Sequence, residues 1–83
     1  MNVIKYPLST EKSLRLLESE NKMVFMVEMK ADKIQIKEAL EKLFNIKVDK
    51  INTLITPGGK KKAYVKLSDE TPAIDLATKL GMM

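Results

Sequence analysis

The sequence predicts an α+β domain, a predominantly antiparallel sheet of three to four strands with helical cover, in the order β-α-β-α-β-β-α. Segments with apolar residues three and four apart alternate with segments of two-residue period. Two of the latter are joined by only Thr56-Pro57-Gly58-Gly59, which has the chemistry of a tight hairpin turn and so implies antiparallel pairing. Within 83 residues there is no internal repeat, linker or low-complexity tract, so 1–83 reads as a single domain.

Val3–Lys5 is expected as a short edge strand, and Pro7 breaks the chain after it. Ser9 is the expected N-cap of the first helix, with Glu11 in the first turn, where a carboxylate meets the positive helix end. Leu14, Leu16 and Leu17 give that helix an apolar side, and Asn21 stops it. Met23–Met29 is apolar on both alternating faces until Glu28, the pattern of a central strand covered on both sides; the methionines read as core filler. Asp32 and Gln35 have the spacing of a capping box. The helix they open runs to about Asn45, with Ile36, Ala39, Leu40, Leu43 and Phe44 toward the core and Glu38 paired with Lys42 on its surface. Val48–Thr56 alternates Ile51, Thr53 and Ile55 against Lys50, Asn52 and Leu54. In the turn, Pro57 fixes φ at the first central position and Gly58 is expected to take positive φ at the second. Lys60–Leu67 returns as the other arm. Thr71 is the expected N-cap of a short last helix that starts at Pro72, packs Ile74, Leu76, Ala77 and Leu80, and ends at Gly81; Met82 and Met83 read as a frayed tail.

Composition narrows the chemistry. The absence of Cys removes disulfides, thiolate metal sites and a thiol nucleophile. The absence of His removes the commonest metal ligand and the side chain best suited to proton transfer near neutrality. No metal, cofactor or small-molecule substrate is expected, and binding is favoured over catalysis. The longest apolar run, Met23–Val27, is five residues, too short to insert in a membrane, and Met1-Asn2-Val3-Ile4-Lys5 lacks the apolar run of a secretory signal. A cytoplasmic protein is the expectation.

The chain carries 15 Lys and Arg against 11 Asp and Glu, a net charge of +4. Residues 47–66 hold six lysines against Asp49 alone, a net +5, so essentially the whole excess lies in this one segment. Charge concentrated in this way attracts polyanions as an even spread does not. On the strand Lys60–Leu67, side chains alternate between two faces. Ala63, Val65 and Leu67, with Lys61, take the core side, whereas Lys60, Lys62, Tyr64 and Lys66 take the other. Lys50 and Asn52 extend this surface if register brings them to the same side. Ammonium groups suit phosphate oxygens, and an exposed aromatic can stack on an unpaired base. The competing reading is a solvated edge strand, since lysines also keep sheet edges from pairing. Pro57-Gly58-Gly59-Lys60 lacks the glycine spacing, the following Ser or Thr and the helix of a phosphate loop. Glu11 and Glu18 lie seven apart and can share one side of their helix, which by itself implies no more than two solvated carboxylates.

Ser9-Thr10-Glu11-Lys12-Ser13, the helix from Lys33 to Phe44, Ile51-Asn52-Thr53-Leu54, and Lys61-Lys62-Ala63-Tyr64-Val65-Lys66-Leu67 with Leu76 beyond it occur in order over nearly the whole chain. Together they resemble the family of ribosomal large-subunit protein twenty-three. The resemblance implies an antiparallel sheet with helical cover that contacts large-subunit ribosomal RNA at the rim of the nascent-chain exit tunnel. Its implied partners are that RNA, neighbouring large-subunit ribosomal proteins, and factors that meet the emerging chain, signal recognition particle among them. Lys12, Lys33, Lys37, Asn52, Thr53, Lys61, Lys62, Tyr64 and Lys66 fall at positions associated with the RNA side. Lys50 and Lys60 join them from the charge pattern. Glu11 matches the glutamate implicated in the bacterial trigger factor contact, and Arg15 and Glu18 on the same helix complete the expected protein-docking set. Bacterial members carry a long basic hairpin extension and eukaryotic ones a basic N-terminal extension. This chain resembles the compact archaeal form.

Two other classes fit the same element order. One is a small regulatory or protein-interaction module not bound to RNA. The other is a hydrolase of acylphosphatase type, which needs an arginine in a phosphate-cradling loop, whereas Arg15 falls inside a predicted helix.

Overall fold

The structure, a computed structural model, describes residues 3–81; the expected tail at Met82 and Met83 lies outside them. Its elements are β1 (Ile4–Pro7), α1 (Glu11–Glu20), β2 (Lys22–Val27), α2 (Lys33–Phe44), β3 (Val48–Ile55), β4 (Lys61–Leu67) and α3 (Ala73–Lys79). The predicted α+β order is therefore the observed one. The sheet has four strands, all antiparallel, in the order β1-β2-β4-β3.

Local chemistry sets the boundaries. The N-cap of α1 is Thr10 rather than the expected Ser9: its hydroxyl accepts from the Ser13 N–H while the Ser13 hydroxyl accepts from the Thr10 N–H. Three-residue spacing between two hydroxyl residues is what closes that box, and Ser9 has no such partner. α2 opens with the expected Asp32–Gln35 box, and both α1 and α2 end on an asparagine, Asn21 and Asn45, in the left-handed conformation. α3 departs from expectation. Pro72, not Thr71, is its N-cap and offers no side-chain bond; the Asn21 side-chain oxygen instead accepts from the Ala73 N–H at 2.6 Å, and the Thr71 hydroxyl accepts from Lys47.

The hairpin turn also differs in detail. The Gly59 N–H donates to the Thr56 carbonyl and the Thr56 N–H to the Lys60 carbonyl, and the positive φ, 77°, belongs to Gly59 rather than Gly58. Pro57 and Gly58 thus form a type I turn followed by a left-handed residue, a connection whose twist matches that of the strands it joins. β1 extends to Pro7, which the free side of an edge strand accommodates.

The core lies between the sheet and the helices. Met23, Phe25 and Val27 of β2, Ala63, Val65 and Leu67 of β4, and Val48 and Ile51 of β3 pack with Ile36 and Leu40 of α2, Leu17 of α1, and Ala73, Leu76 and Ala77 of α3. The Phe25 and Phe44 rings stack at 6.1 Å. Leu43 is 62% exposed and Ile74 46%, against expectation. Both fall on the solvent side of their helices, where an apolar stripe read from spacing alone is wider than the contact it makes. Among the described residues the ion pairs are Glu11–Arg15, Glu20–Lys22 and Lys47–Glu70, and the expected Glu38–Lys42 pair is not among them. Exposed pairs of this kind gain too little to fix two long side chains in place.

Candidate nucleic-acid interface

In an antiparallel sheet, residues directly opposite one another point to the same face. Met23, Phe25 and Val27 face the helices, so Lys22, Val24 and Met26 face the other way, and their partners follow: Lys22 opposite Lys66, Val24 opposite Tyr64, Met26 opposite Lys62. On the far side of β4, Lys66 meets Lys50, Tyr64 meets Asn52, and Lys62 meets Leu54. Tyr6 of β1 stands beside Met26. Three rows therefore cross the strands at right angles: Lys22-Lys66-Lys50, Val24-Tyr64-Asn52, and Met26-Lys62-Leu54. None of the strand residues that register assigns to this face is a carboxylate.

The condition on Lys50 and Asn52 is met, since register brings them beside Lys66 and Tyr64. The competing reading, a solvated edge strand, does not fit the strand order. β4 lies inside the sheet, flanked by β2 and β3, so its lysines guard no free edge. The row Lys22-Lys66-Lys50 instead sets like-charged residues opposite one another on three neighbouring strands, their Cβ atoms about 5 Å apart, an arrangement that costs stability where no anion offsets it; Glu20 offsets it at Lys22 alone.

Val24 and Met26 are buried although they face away from the main core. α1 accounts for part of this. Leu17 enters the core, whereas Lys12 and Leu16, with Leu8, Val24, Lys62 and Tyr64, line a shallow cavity of about 30 Å³ on the lysine face. The helix thus contributes to both sides of the sheet and brings Lys12 beside Val24, Lys62 and Tyr64.

Other expected RNA-side residues lie elsewhere. Lys60 is exposed in the turn, next to its bond with Thr56. Thr53 and Lys61 face the helices, opposite Ala63 and Val27 respectively, and the Lys61 ammonium donates to the Ala31 carbonyl at 2.6 Å. Lys33 and Lys37 of α2 flank a cavity of about 170 Å³ against the free edge of β3, which Lys50 also lines. The structure therefore gathers Lys12, Lys50, Asn52, Lys62, Tyr64 and Lys66 on one face, puts Lys33 and Lys37 around its β3 edge, and sets Thr53 and Lys61 behind it.

Lys22, Tyr6 and Leu54 also belong to this surface and were not singled out from the sequence. Strand parity held the signal for Lys22, because Lys22, Val24 and Met26 alternate against the more heavily apolar Met23, Phe25 and Val27. What parity lacks is the register that lays Lys22 against Lys66.

The expected docking residues lie on α1, beside the end of the lysine row. Arg15 donates to Glu11 at 2.9 Å, one turn away on α1, with both side chains more than three-quarters exposed. Arg15 is on a helix rather than in a loop, as its sequence position implied. Glu18 lines an open hollow of about 290 Å³ with Glu20, Asp69, the exposed Ile74 and Lys66 of the lysine row. Among the described residues no grouping of His, Cys, Asp or Glu could hold a metal ion, and no helix is long and apolar enough to cross a membrane.

Residues 2–75 match the model of the family described as Ribosomal protein L23. The chain is 56% identical to the large ribosomal subunit protein uL23 of Pyrobaculum aerophilum over 81 residues, covering 98% of this chain and all of that one. It is 51% identical to the protein of the same name from Methanococcus aeolicus, over 98% of this chain and 94% of the relative. Both sources are archaeal, in keeping with the compact form.

Proposed function

The chain belongs to the ribosomal protein L23 family, and from that premise we propose that it is a structural constituent of the large ribosomal subunit, in the cytoplasm, binding ribosomal RNA through the lysine face of its sheet. The observation that supports this most is the Lys22-Lys66-Lys50 row, three cations on adjacent strands, of which Lys22 pairs with Glu20 at the row's end and Lys66 and Lys50 have no ion-pair partner among the described residues. Lys62 adds a fourth charge, Lys12 and Lys60 stand at the rim, and Lys33 and Lys37 carry the positive surface around the β3 edge. Thr53 and Lys61, on the helical side, would meet RNA only past the end of the hairpin. The role is structural: the face offers charge and shape, and no acid–base pair or nucleophile is needed.

The outer surface of α1 is assigned to proteins. Family membership supports a position near the polypeptide exit tunnel, where Glu11, Arg15 and Glu18 on α1 offer exposed charge to neighbouring ribosomal proteins or to exit-site factors such as signal recognition particle.

Removal of the row tests the reading. Lys22→Gln, Lys50→Gln and Lys66→Gln together should leave the circular dichroism spectrum unchanged and abolish co-sedimentation with large subunits at moderate salt. On an isolated large-subunit RNA fragment, the slope of log K against log salt should become shallower by about two, since each neutralised phosphate contributes roughly 0.7–0.9 to it. Unchanged affinity and slope in the triple variant would exclude this face.

A further inference from the structure

We propose that the sheet face holds an unpaired, splayed-out nucleotide, with its base stacked on the Tyr64 ring, its base edge on the Asn52 amide, and the flanking phosphates on Lys22, Lys50, Lys66 and Lys62. This rests on the reading of the face as RNA-binding and adds the kind of RNA it takes.

The rows differ in character. Lys22-Lys66-Lys50 is wholly cationic, and Met26-Lys62-Leu54 has its cation at the centre. Val24-Tyr64-Asn52, between them, carries no charge. A phosphate backbone is drawn to the outer rows. The middle one presents a flat aromatic beside an exposed amide, with the buried Val24 beneath its other side, which is chemistry for a base. An A-form duplex cannot use it, because its bases are stacked inside and its accessible minor groove displays sugars and base edges rather than base faces. A single strand that turns a base outward can use all three rows.

Tyr64 is suited to the part. It is half-buried, with Lys62 and Lys66 beside it along the strand and Val24 and Asn52 across from it. Its position is set before a base arrives, and it has only two side-chain torsions to lose. Asn52 is exposed, and among the described residues its side-chain amide has no partner. The contrast is Asn21, whose amide bonds Leu67, Ser68, Thr71 and Ala73. A free amide offers donor and acceptor together, as a base edge requires and an ammonium cannot.

The chain has two tyrosines and no tryptophan, so Tyr6→Phe leaves Tyr64 as the one reporter of emission. The full chain carrying this change is titrated with single-stranded oligo(A), oligo(C) and oligo(U), and with a blunt RNA duplex of equal phosphate count. Affinities are read from the anisotropy of end-labelled RNA. Single strands should quench Tyr64 emission and bind about tenfold or more tightly than the duplex, given the usual worth of base–aromatic stacking. Tyr64→Leu should remove that preference and Tyr64→Phe keep it. Asn52→Ala should narrow the spread among the three bases with no change in salt slope. Equal binding of duplex and single strand without quenching would overturn the unpaired-nucleotide site and leave the RNA-binding reading standing. A single-strand preference that survives Tyr64→Leu would also overturn the site. Failure to bind either RNA would overturn both readings.

Discussion

Asn21 sits where the end of α1, the start of β2, the end of β4 and the start of α3 meet, and its side chain joins the last two. Its backbone is in the left-handed region, where asparagine is tolerated far better than alanine. Its amide nitrogen lies 3.2 Å from the carbonyls of Leu67, Ser68 and Thr71, so two hydrogens are shared among three acceptors, and its oxygen caps α3. Asn21→Ala should therefore cost about 2–4 kcal/mol in urea unfolding, from the missing bonds and the strained backbone together. Asn21→Gly, which keeps the backbone comfortable, should cost about 1 kcal/mol less. From the sequence Asn21 was legible as a helix stop. Its bonds to carbonyls 46 to 50 residues away were not, because nothing local marks a tertiary partner. A second residue-scale prediction concerns Lys47 and Glu70, bonded at 2.9 Å. The hydrogen bond first, and then the partner's charge, lowers the Glu70 pKa below 4.5 and raises that of Lys47 above 10.5. The lowered carboxyl contributes stability above its unfolded pKa and loses it as pH falls through the folded one. The raised ammonium contributes below its unfolded pKa and loses it as pH rises through the folded one. The pair thus operates between those limits. Carbon-detected NMR titration should find Glu70 protonating at lower pH than in a Lys47→Met variant, with the difference shrinking in high salt.

At the scale of elements, α2 was almost fully readable because every signal there is local: the Asp32–Gln35 box, the Ile36 and Leu40 spacing, and the asparagine that ends it. β2 was readable as a central strand because both of its faces are apolar. The hairpin shows where local reading stops. Pro57-Gly58-Gly59 is compatible with a type II turn using Gly58 or a type I turn using Gly59, and the choice depends on how Thr56 and Lys60 pair. The two glycines should differ accordingly. Gly59→Ala forces a side chain to a φ of 77° and should cost about 1–2 kcal/mol. Gly58→Ala meets nothing within 4 Å and should be neutral or stabilising by up to about 0.5 kcal/mol. Chemical denaturation of the two single variants checks this, and a larger loss at Gly58 would contradict the turn described. For the site, parity within β3 and β4 was legible, but the inner position of β4 and the inclusion of Lys22 were not. Both follow from strand order, which depends on contacts among segments far apart in sequence.

Over the whole molecule, near-neutral helices and termini support a sheet face on which like charges adjoin. Lys66 stands between Lys22 and Lys50, so Lys66→Gln relieves two repulsions at once. The free protein should gain about 0.5 kcal/mol from it at low salt, and the gain should vanish in high salt, as the parent itself becomes more stable. Differential scanning calorimetry at two ionic strengths measures both effects; a loss of stability at low salt would refute the repulsion. The lysine row has one more consequence. Its members come from positions 22, 50 and 66, on strands that become neighbours only after the last of them, β4, has inserted between the other two. An unfolded chain carries the same charge but not the row. A ligand that recognises the row and not the bare charge adds RT ln(1 + [L]/Kd) to stability, about 2.7 kcal/mol at a hundred times Kd. RNA would in this way proofread the protein, retaining finished copies and releasing those whose sheet has not closed.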